Sequence, residues 1–462
     1  MTKVQKFFKE IQNKKVAFIG TGVTNTDIIK LFLAKKIDVT ICDRKSAEQM
    51  GDLYSELENL GAKYIMGEKY LDSLTDFDIV FRSPGVYFNN EKLQDAIKNG
   101  VAVTSEMEVF FDICPCKIYA VTGSDGKTTT TTIISELFKS EGKRVHLGGN
   151  IGKALLPIIE EINEDDIAVI ELSSFQLLSM RQSPDVAVIT NITPNHLNVH
   201  GTMEEYIYAK CNILNHQNAF SRTVLSYDNE TTKNLNALVR GKLSYFSRFD
   251  KPYNGSFLNE NNILCYNEYG NVTEVMNMNE IRIPGMHNVE NYLTAISAVW
   301  GEVSIKNIRK IAKEFGGVEH RIEFVREING AKYYNNSIAS SPTRVLACLN
   351  SFDEKQIMIQ GGSDKGISFE PMADAICEKV RVLILMGETK YKIRDAVTAS
   401  KKYNPESTQI IIVEDMQEAV NTAYKYAKKG DIVSLSPACA SFDMYRMFED
   451  RGRHFKQLVN AL

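Results

Sequence analysis

The stretch Lys117–Thr129, KIYAVTGSDGKTT, decides the fold class. Its first six residues, Lys117–Thr122, form a mostly apolar run of strand length. Gly123–Ser124–Asp125–Gly126 is a polar turn with two glycines, and a helical pattern follows from about Thr128 to Ser140. A strand that turns through glycines into a helix aims backbone N–H groups at one spot, and the helix dipole adds positive potential there. Such a turn binds phosphate. Lys127 is placed to neutralise β- and γ-phosphates, and Thr128 to ligate Mg²⁺. The strict G-x-x-x-x-G-K-[ST] pattern is not met, because Val121 stands where its first Gly belongs. An ordinary strand–helix turn is the competing reading. The strand before and the helix after favour nucleotide binding.

Working outward, short apolar strands alternate with helical segments along the whole chain. That pattern predicts α/β domains with mainly parallel sheets. Upstream, strands are expected at Lys15–Gly20, Asp38–Cys42 and Asp78–Phe81, with helices at Asp27–Lys35 and Ala47–Leu60. Downstream, strands are expected at Ile167–Glu171 and Val186–Thr190, then short hairpins or loops near 250–280 and a helix at Asn288–Trp300. The last third carries strands at Gln356–Gln360, Val382–Met386, Gln409–Val413 and Ile432–Leu435. A length of 462 residues suits about three domains. We place them at 1–106, 107–318 and 319–462, the first and last Rossmann-like and the middle one an ATPase domain.

Polar residues gather at several strand ends, where open α/β sheets bind ligands. Glu171 ends one strand and is placed to hold Mg²⁺ beside the phosphate turn; a helix N-terminal glutamate stabilised by the dipole is the plainer reading. Asn191–His200 (NITPNHLNVH) follows another strand, and His196 is either a metal or anion contact or a loop hydrogen-bonder. Gly20–Asn25 (GTGVTN) is close to a dinucleotide fingerprint, but Asn25 replaces the third Gly. A loop of this kind also suits a UDP pyrophosphate, with Asp43, Arg44 and Lys45 near the uridine. Gly361–Gly366 (GGSDKG) and Ser436–Asp443 (SPACASFD) are turns, the second with a Ser or Asp expected to cap the final helix. Lys365 and Ser441 suit a carboxylate-bearing ligand.

The formal net charge is −4 with no long basic block, which argues against nucleic acid as the main partner. Eight scattered Cys, with no CxxC pair, read as reduced thiols of a cytoplasmic protein. The N-terminus has no apolar core of a secretion signal. No stretch approaches the roughly 18 apolar residues of a membrane span.

Seven motifs recur in order: GSDGKTT, ELSSFQL, NITPNH, His320–Arg321, Tyr334–Ser337 (YNNS), GGSDKG and LSPACASFD. Together they resemble the Mur ligase family over nearly the whole chain. ELSSFQL and LSPACAS resemble the branch that adds D-glutamate to UDP-N-acetylmuramoyl-L-alanine. The resemblance implies three domains and an ATP-dependent amide ligase working through an acyl phosphate, as a monomer. It implies ATP contacts at Gly123, Ser124, Asp125, Gly126, Lys127, Thr128, Thr129, Asn288, Asn336 and Arg321, the last reaching in from the third domain. Two Mg²⁺ ions are implied at Thr128, Glu171, His196 and a carbamylated Lys210. With Lys127, the last three are the implied catalytic residues. The UDP-substrate is implied at Val23, Thr24, Asp43, Arg44, Lys45, Gly85 and Asn150, and D-glutamate at Ser340, Lys365, Ser441, Phe442 and Phe448. The chain departs from the family at Asn336, Ile338 and Ser340, where Asp, Lys and Thr are frequent, and at Asn195 and Asn198, where Asp is frequent. Two other readings compete: a folylpolyglutamate synthetase-like ligase and a regulatory nucleotide-binding protein.

Overall fold

The apolar runs are the strands of three sheets. The computed structural model describes residues 1–462, apart from the side chains of Val23, Thr24 and Asn198. The chain divides into two units: residues 1–278 with 290–311, and residues 279–289 with 312–462.

The first unit holds two sheets. The smaller has five parallel strands in the order Lys63–Met66, Asp38–Asp43, Lys15–Ile19, Ile79–Phe81, Ala102–Thr104. Chain order reverses beside Lys15–Ile19. The turns after Lys15–Ile19 and Ile79–Phe81 therefore open a crevice of the kind that takes ligands. Asn25 fills the place of the missing third Gly by donating to the carbonyls of Ile19 (2.9 Å) and Gly20 (3.0 Å). The helix expected over Ala47–Leu60 is two helices, Ala47–Met50 and Asp52–Asn59, because Gly51 takes φ +58° between them.

The larger sheet has nine strands, and Lys117–Thr122 lies inside it between Ile167–Glu171 and Val186–Ile189, parallel to both. Ile118–Thr122 are all buried, which is why this strand is nearly continuously apolar rather than alternating. The polar stretch near 250–280 forms antiparallel strands at Asn254–Leu258, Ile263–Glu268 and Asn271–Asn277. Tyr269 and Gly270, at φ +51° and +102°, make the two-residue turn of the second hairpin.

The second unit carries a six-stranded sheet in the order Glu323–Ile328, Ala331–Asn335, Ile432–Leu435, Gln356–Gln360, Val380–Leu385, Gln409–Ile412. Only the first pair is antiparallel. The final helix starts at Phe448, and its N-cap is Met447 with no side-chain bond. The capping Ser or Asp expected there is absent: Asp443 instead accepts from Ser363 Oγ (3.2 Å) and the Glu388 amide (3.0 Å). Among the described residues, no helix is long and apolar enough to cross a membrane.

Candidate active site

The Gly123–Gly126 turn is shaped by the neighbouring strand end. The amides of Ser124 (3.2 Å) and Asp125 (2.9 Å) donate to Asn191 Oδ1, and Thr190 Oγ1 donates to the Asp125 carbonyl (2.6 Å). Ser124 Oγ accepts from the Thr193 amide at 2.9 Å and sits 3.0 Å from the Tyr206 hydroxyl. Gly123 and Gly126 take φ +148° and +76°. A Cβ on Gly123 would collide with Thr190 Oγ1, and one on Gly126 would sit 2.5 Å from Asn291 Oδ1. The turn leads into helix Lys127–Ser140, whose first-turn amides have no intrahelical acceptor and suit an anion. Thr128 and Thr129 lie half-buried in that turn.

Two ammonium groups converge on this turn. Lys127 Nζ donates to the carbonyls of Gly123 and Ser124, each at 2.9 Å. Lys210 Nζ donates to the same Gly123 carbonyl (2.8 Å) and to Thr122 Oγ1 (3.2 Å). Lys210 is 1% exposed, on helix Met203–Asn215, so it is not a solvated helix lysine. Burial first, and then the charge of Lys127, pulls its ammonium down to about 7, against the opposing pull of Glu171 and Asp125.

Glu171 is buried on the adjacent strand. Its Oε1 accepts from Asn150 Nδ2 at 2.7 Å, while its Oε2 is buried without a partner. It precedes the following helix rather than lying in its first turn, since Ser173 is that helix's N-cap and forms its capping box with Gln176. A buried carboxylate oxygen beside a phosphate turn fits a cation. Among the described residues, no three His, Cys, Asp or Glu form a metal cluster. Mg²⁺ does not require one, because it is commonly bound by one or two carboxylates together with substrate phosphates and water.

His196 stands at φ +54° before the short helix Leu197–His200, with its ring against the edge of Phe175 at 5.3 Å. Burial, then Lys127 and Lys210, hold its imidazole below the usual range. Sequence reasoning singled out His196 and passed over His200. The His200 ring is fully buried, stacks on Phe175 at 5.1 Å and meets Ser174 Oγ through Nε2 at 2.9 Å.

In the five-stranded sheet, the Asp43 carboxylate accepts from the Thr21 amide (2.9 Å), Thr21 Oγ1 (2.7 Å) and the Lys45 amide (2.9 Å). It therefore holds the two turns together. Arg44 is exposed and bonded to Glu68 at 3.0 Å, and Gly85 lies in the exposed turn after Ile79–Phe81. For Val23 and Thr24 the side chains lie outside the described residues. Asn150, expected on the UDP-substrate, donates to Glu171 Oε1 at 2.7 Å. Arg82 was missed. Its buried guanidinium donates to Val86 O (2.9 Å), Phe175 O (3.1 Å) and Ser179 Oγ (2.9 Å), tying the Pro84–Gly85 turn to the segment after Glu171. A lone Arg ending an apolar strand was the available signal.

The second unit gathers its own set. Asn336 is buried, accepts from the Ile322 amide (3.3 Å) and donates to Ser436 Oγ (3.1 Å), so the segment carrying Arg321 lies beside the turn after Ala331–Asn335. His320 is buried against Asn335 Nδ2 at 2.9 Å, and Phe448 meets its ring at 5.9 Å. Ser441 is buried, Ser340 half-buried, and Lys365 and Phe442 exposed. Asn288 donates to the Pro284 carbonyl at 2.6 Å.

Three family models match the chain: the Mur ligase MurD-like N-terminal domain over residues 14–105, the Mur ligase middle domain over 121–299, and the Mur ligase glutamate ligase domain over 320–439. The UDP-N-acetylmuramoylalanine--D-glutamate ligase of Acetivibrio thermocellus is 47% identical, over 100% of this chain and 99% of that protein. Its namesake from Ruminiclostridium cellulolyticum is 46% identical, over 100% and 99%. Among solved structures, the UDP-N-acetylmuramate-alanine ligase of Thermotoga maritima shares the fold, with a TM-score of 0.58 at 18% identity over 97% of this chain and 100% of that one. The chain belongs to the Mur ligase family, ATP-dependent ligases of peptidoglycan synthesis that generally need Mg²⁺.

Proposed function

We propose that this chain joins D-glutamate to UDP-N-acetylmuramoyl-L-alanine at the expense of ATP, in the cytoplasm and as a monomer. The observation that carries the chemistry is the convergence of Lys127 and Lys210 on the Gly123 carbonyl, beside a Glu171 oxygen with no partner. The names of the relatives carry the substrates.

A carboxylate is a poor electrophile. The terminal carboxylate of the acceptor attacks the γ-phosphorus of ATP, ADP leaves, and an acyl phosphate forms. The amine of D-glutamate then attacks the acyl carbon. The tetrahedral intermediate loses a proton from nitrogen and expels phosphate, leaving the amide. Lys127 and the first-turn amides of helix Lys127–Ser140 hold phosphoryl charge through both steps. Gly123, Ser124, Asp125, Gly126 and Thr129 shape the turn. Thr128, Glu171, His196 and Lys210 would hold Mg²⁺, two ions in all, which supply Lewis-acid stabilisation of phosphoryl oxygens. Lys210 does so as a carbamate: its neutral amine adds CO₂ and releases a proton, turning a buried cation into a ligating anion.

The remaining contacts follow the same assignment. Val23, Thr24, Asp43, Arg44, Lys45, Gly85 and Asn150 take the UDP-substrate. Asn288, Arg321 and Asn336 complete the ATP contacts, and Ser340, Lys365, Ser441, Phe442 and Phe448 take D-glutamate. Domains of 1–106, 107–318 and 319–462 divide these tasks.

The test uses UDP-N-acetylmuramoyl-L-alanine labelled with ¹⁸O in its alanyl carboxylate. One label per turnover appears in the released phosphate if the acyl phosphate forms. Unlabelled phosphate would overturn the mechanism.

A further inference from the structure

We propose that Arg451 is the positioning residue of the amino-acid pocket in the second unit, fixing the spacing of three loops from beneath. The inference rests on the assignment of D-glutamate to that pocket.

Arg451 is fully buried on the final helix, Phe448–Ala461. Its hydrogen bonds go to main-chain carbonyls and one hydroxyl. Nε donates to Ser337 Oγ (3.0 Å), Nη2 to Ser337 O (2.8 Å) and Cys439 O (3.1 Å), and Nη1 to Ala440 O (2.9 Å). The Ala440 carbonyl also accepts from the Ser363 amide at 3.1 Å. Ser337, Ala440 and Ser363 follow the strands Ala331–Asn335, Ile432–Leu435 and Gln356–Gln360, which are neighbours in that order. The guanidinium thus fastens the loops after two adjacent parallel strands, and the Ala440 carbonyl it holds ties in the loop after the third, where an α/β sheet binds its ligand. Ser340, Ser441 and Lys365 sit on these same three loops.

The surroundings leave no slack. A Cβ on Gly362 would collide with the Ala440 carbonyl and lie 3.0 Å from Arg451 Nη1, and one on Gly452 would run into the His320 ring. Gly362 keeps backbone close to the guanidinium, and Gly452 makes room for His320 and Asn335 beside it. A planar fork with fixed donor directions suits this task. A lysine would keep the charge and lose the geometry.

Initial rates for Arg451→Lys, with each substrate varied in turn, test the role. The KM for D-glutamate should rise about tenfold or more, while that for UDP-N-acetylmuramoyl-L-alanine stays within about twofold. Equal changes in both constants, or no change in either, overturn it. If Arg451→Lys does not fold, Ser337→Ala removes one hydroxyl acceptor and should raise the D-glutamate KM about threefold; an unchanged KM there overturns the role as well. Wild-type protein inactive with D-glutamate overturns the assigned reaction itself. Wild-type protein active with D-glutamate, beside unaffected variants, overturns only the role of Arg451.

Discussion

Lys127 and Lys210 share one carbonyl acceptor, and two ammonium groups held that close repel each other unless an anion arrives. Bound phosphate relieves Lys127. The proposed carbamate would relieve Lys210. Lys127→Ala should lower kcat by about 100- to 1,000-fold, measured as phosphate release with both substrates present. Near wild-type turnover removes Lys127 from the mechanism. Lys210→Ala should be inactive, with partial recovery in added short carboxylates, and in native mass spectrometry the intact wild-type protein should exceed Lys210→Ala by the residue-mass difference plus the mass of one CO₂. An unmodified Lys210 in active enzyme counts against the carbamate. At this scale the sequence was uneven. Lys127 declares itself by its turn. Lys210 looks like any helix lysine until its burial beside Tyr206 is seen, and only the family motif pointed to it. Arg82 left only its place at the end of an apolar strand as a signal, and Arg451 left none, because most of their acceptors are carbonyls, which every residue owns.

Elements follow the same division. Long buried strands such as Lys117–Thr122 and Gln356–Gln360 were readable because burial on both faces makes them continuously apolar. The three-residue strand Ala102–Thr104 carries too little pattern, whereas the equally short Ile79–Phe81 was read because its three residues are all large and apolar. The helix Glu106–Ile113 offers a test that does not depend on catalysis. Glu106 is buried at its first position and accepts from the amides of Leu155 (3.0 Å) and Leu156 (3.1 Å). Burial pushes its carboxyl up to about 7, against the pull of those amides. A carboxyl raised in the folded state holds its proton when the unfolded chain has lost it. Folding stability from this group is therefore greatest below the unfolded value, near 4.5, and falls as pH rises towards 7. Glu106→Gln should flatten that part of the profile, so the variant's Tm should gain on wild type between pH 5 and 7. A parallel pair of curves contradicts the buried-carboxyl assignment.

For the whole molecule, the order of parts matters more than any one of them. A Rossmann-like sheet precedes the phosphate turn, and a six-stranded sheet follows it. That order disfavours a folylpolyglutamate synthetase-like ligase, whose ATPase domain comes first. The three-domain α/β class was legible because each domain repeats the strand–helix rhythm. The hairpins at Asn254–Asn277 were read only as hairpins or loops, since polar, Asn-rich strands lack the apolar run. Substrate choice depends on side chains spread over many loops, including Ile338 and Ser340 where the family pattern differs. It is the least readable property and the central claim. Phosphate release with ATP, Mg²⁺ and UDP-N-acetylmuramoyl-L-alanine against a panel of amino acids tests it most directly. The account predicts release with D-glutamate and only background with L-lysine, diaminopimelate or D-alanyl-D-alanine. Release driven by one of those instead, or release indifferent to any amino acid, would contradict it.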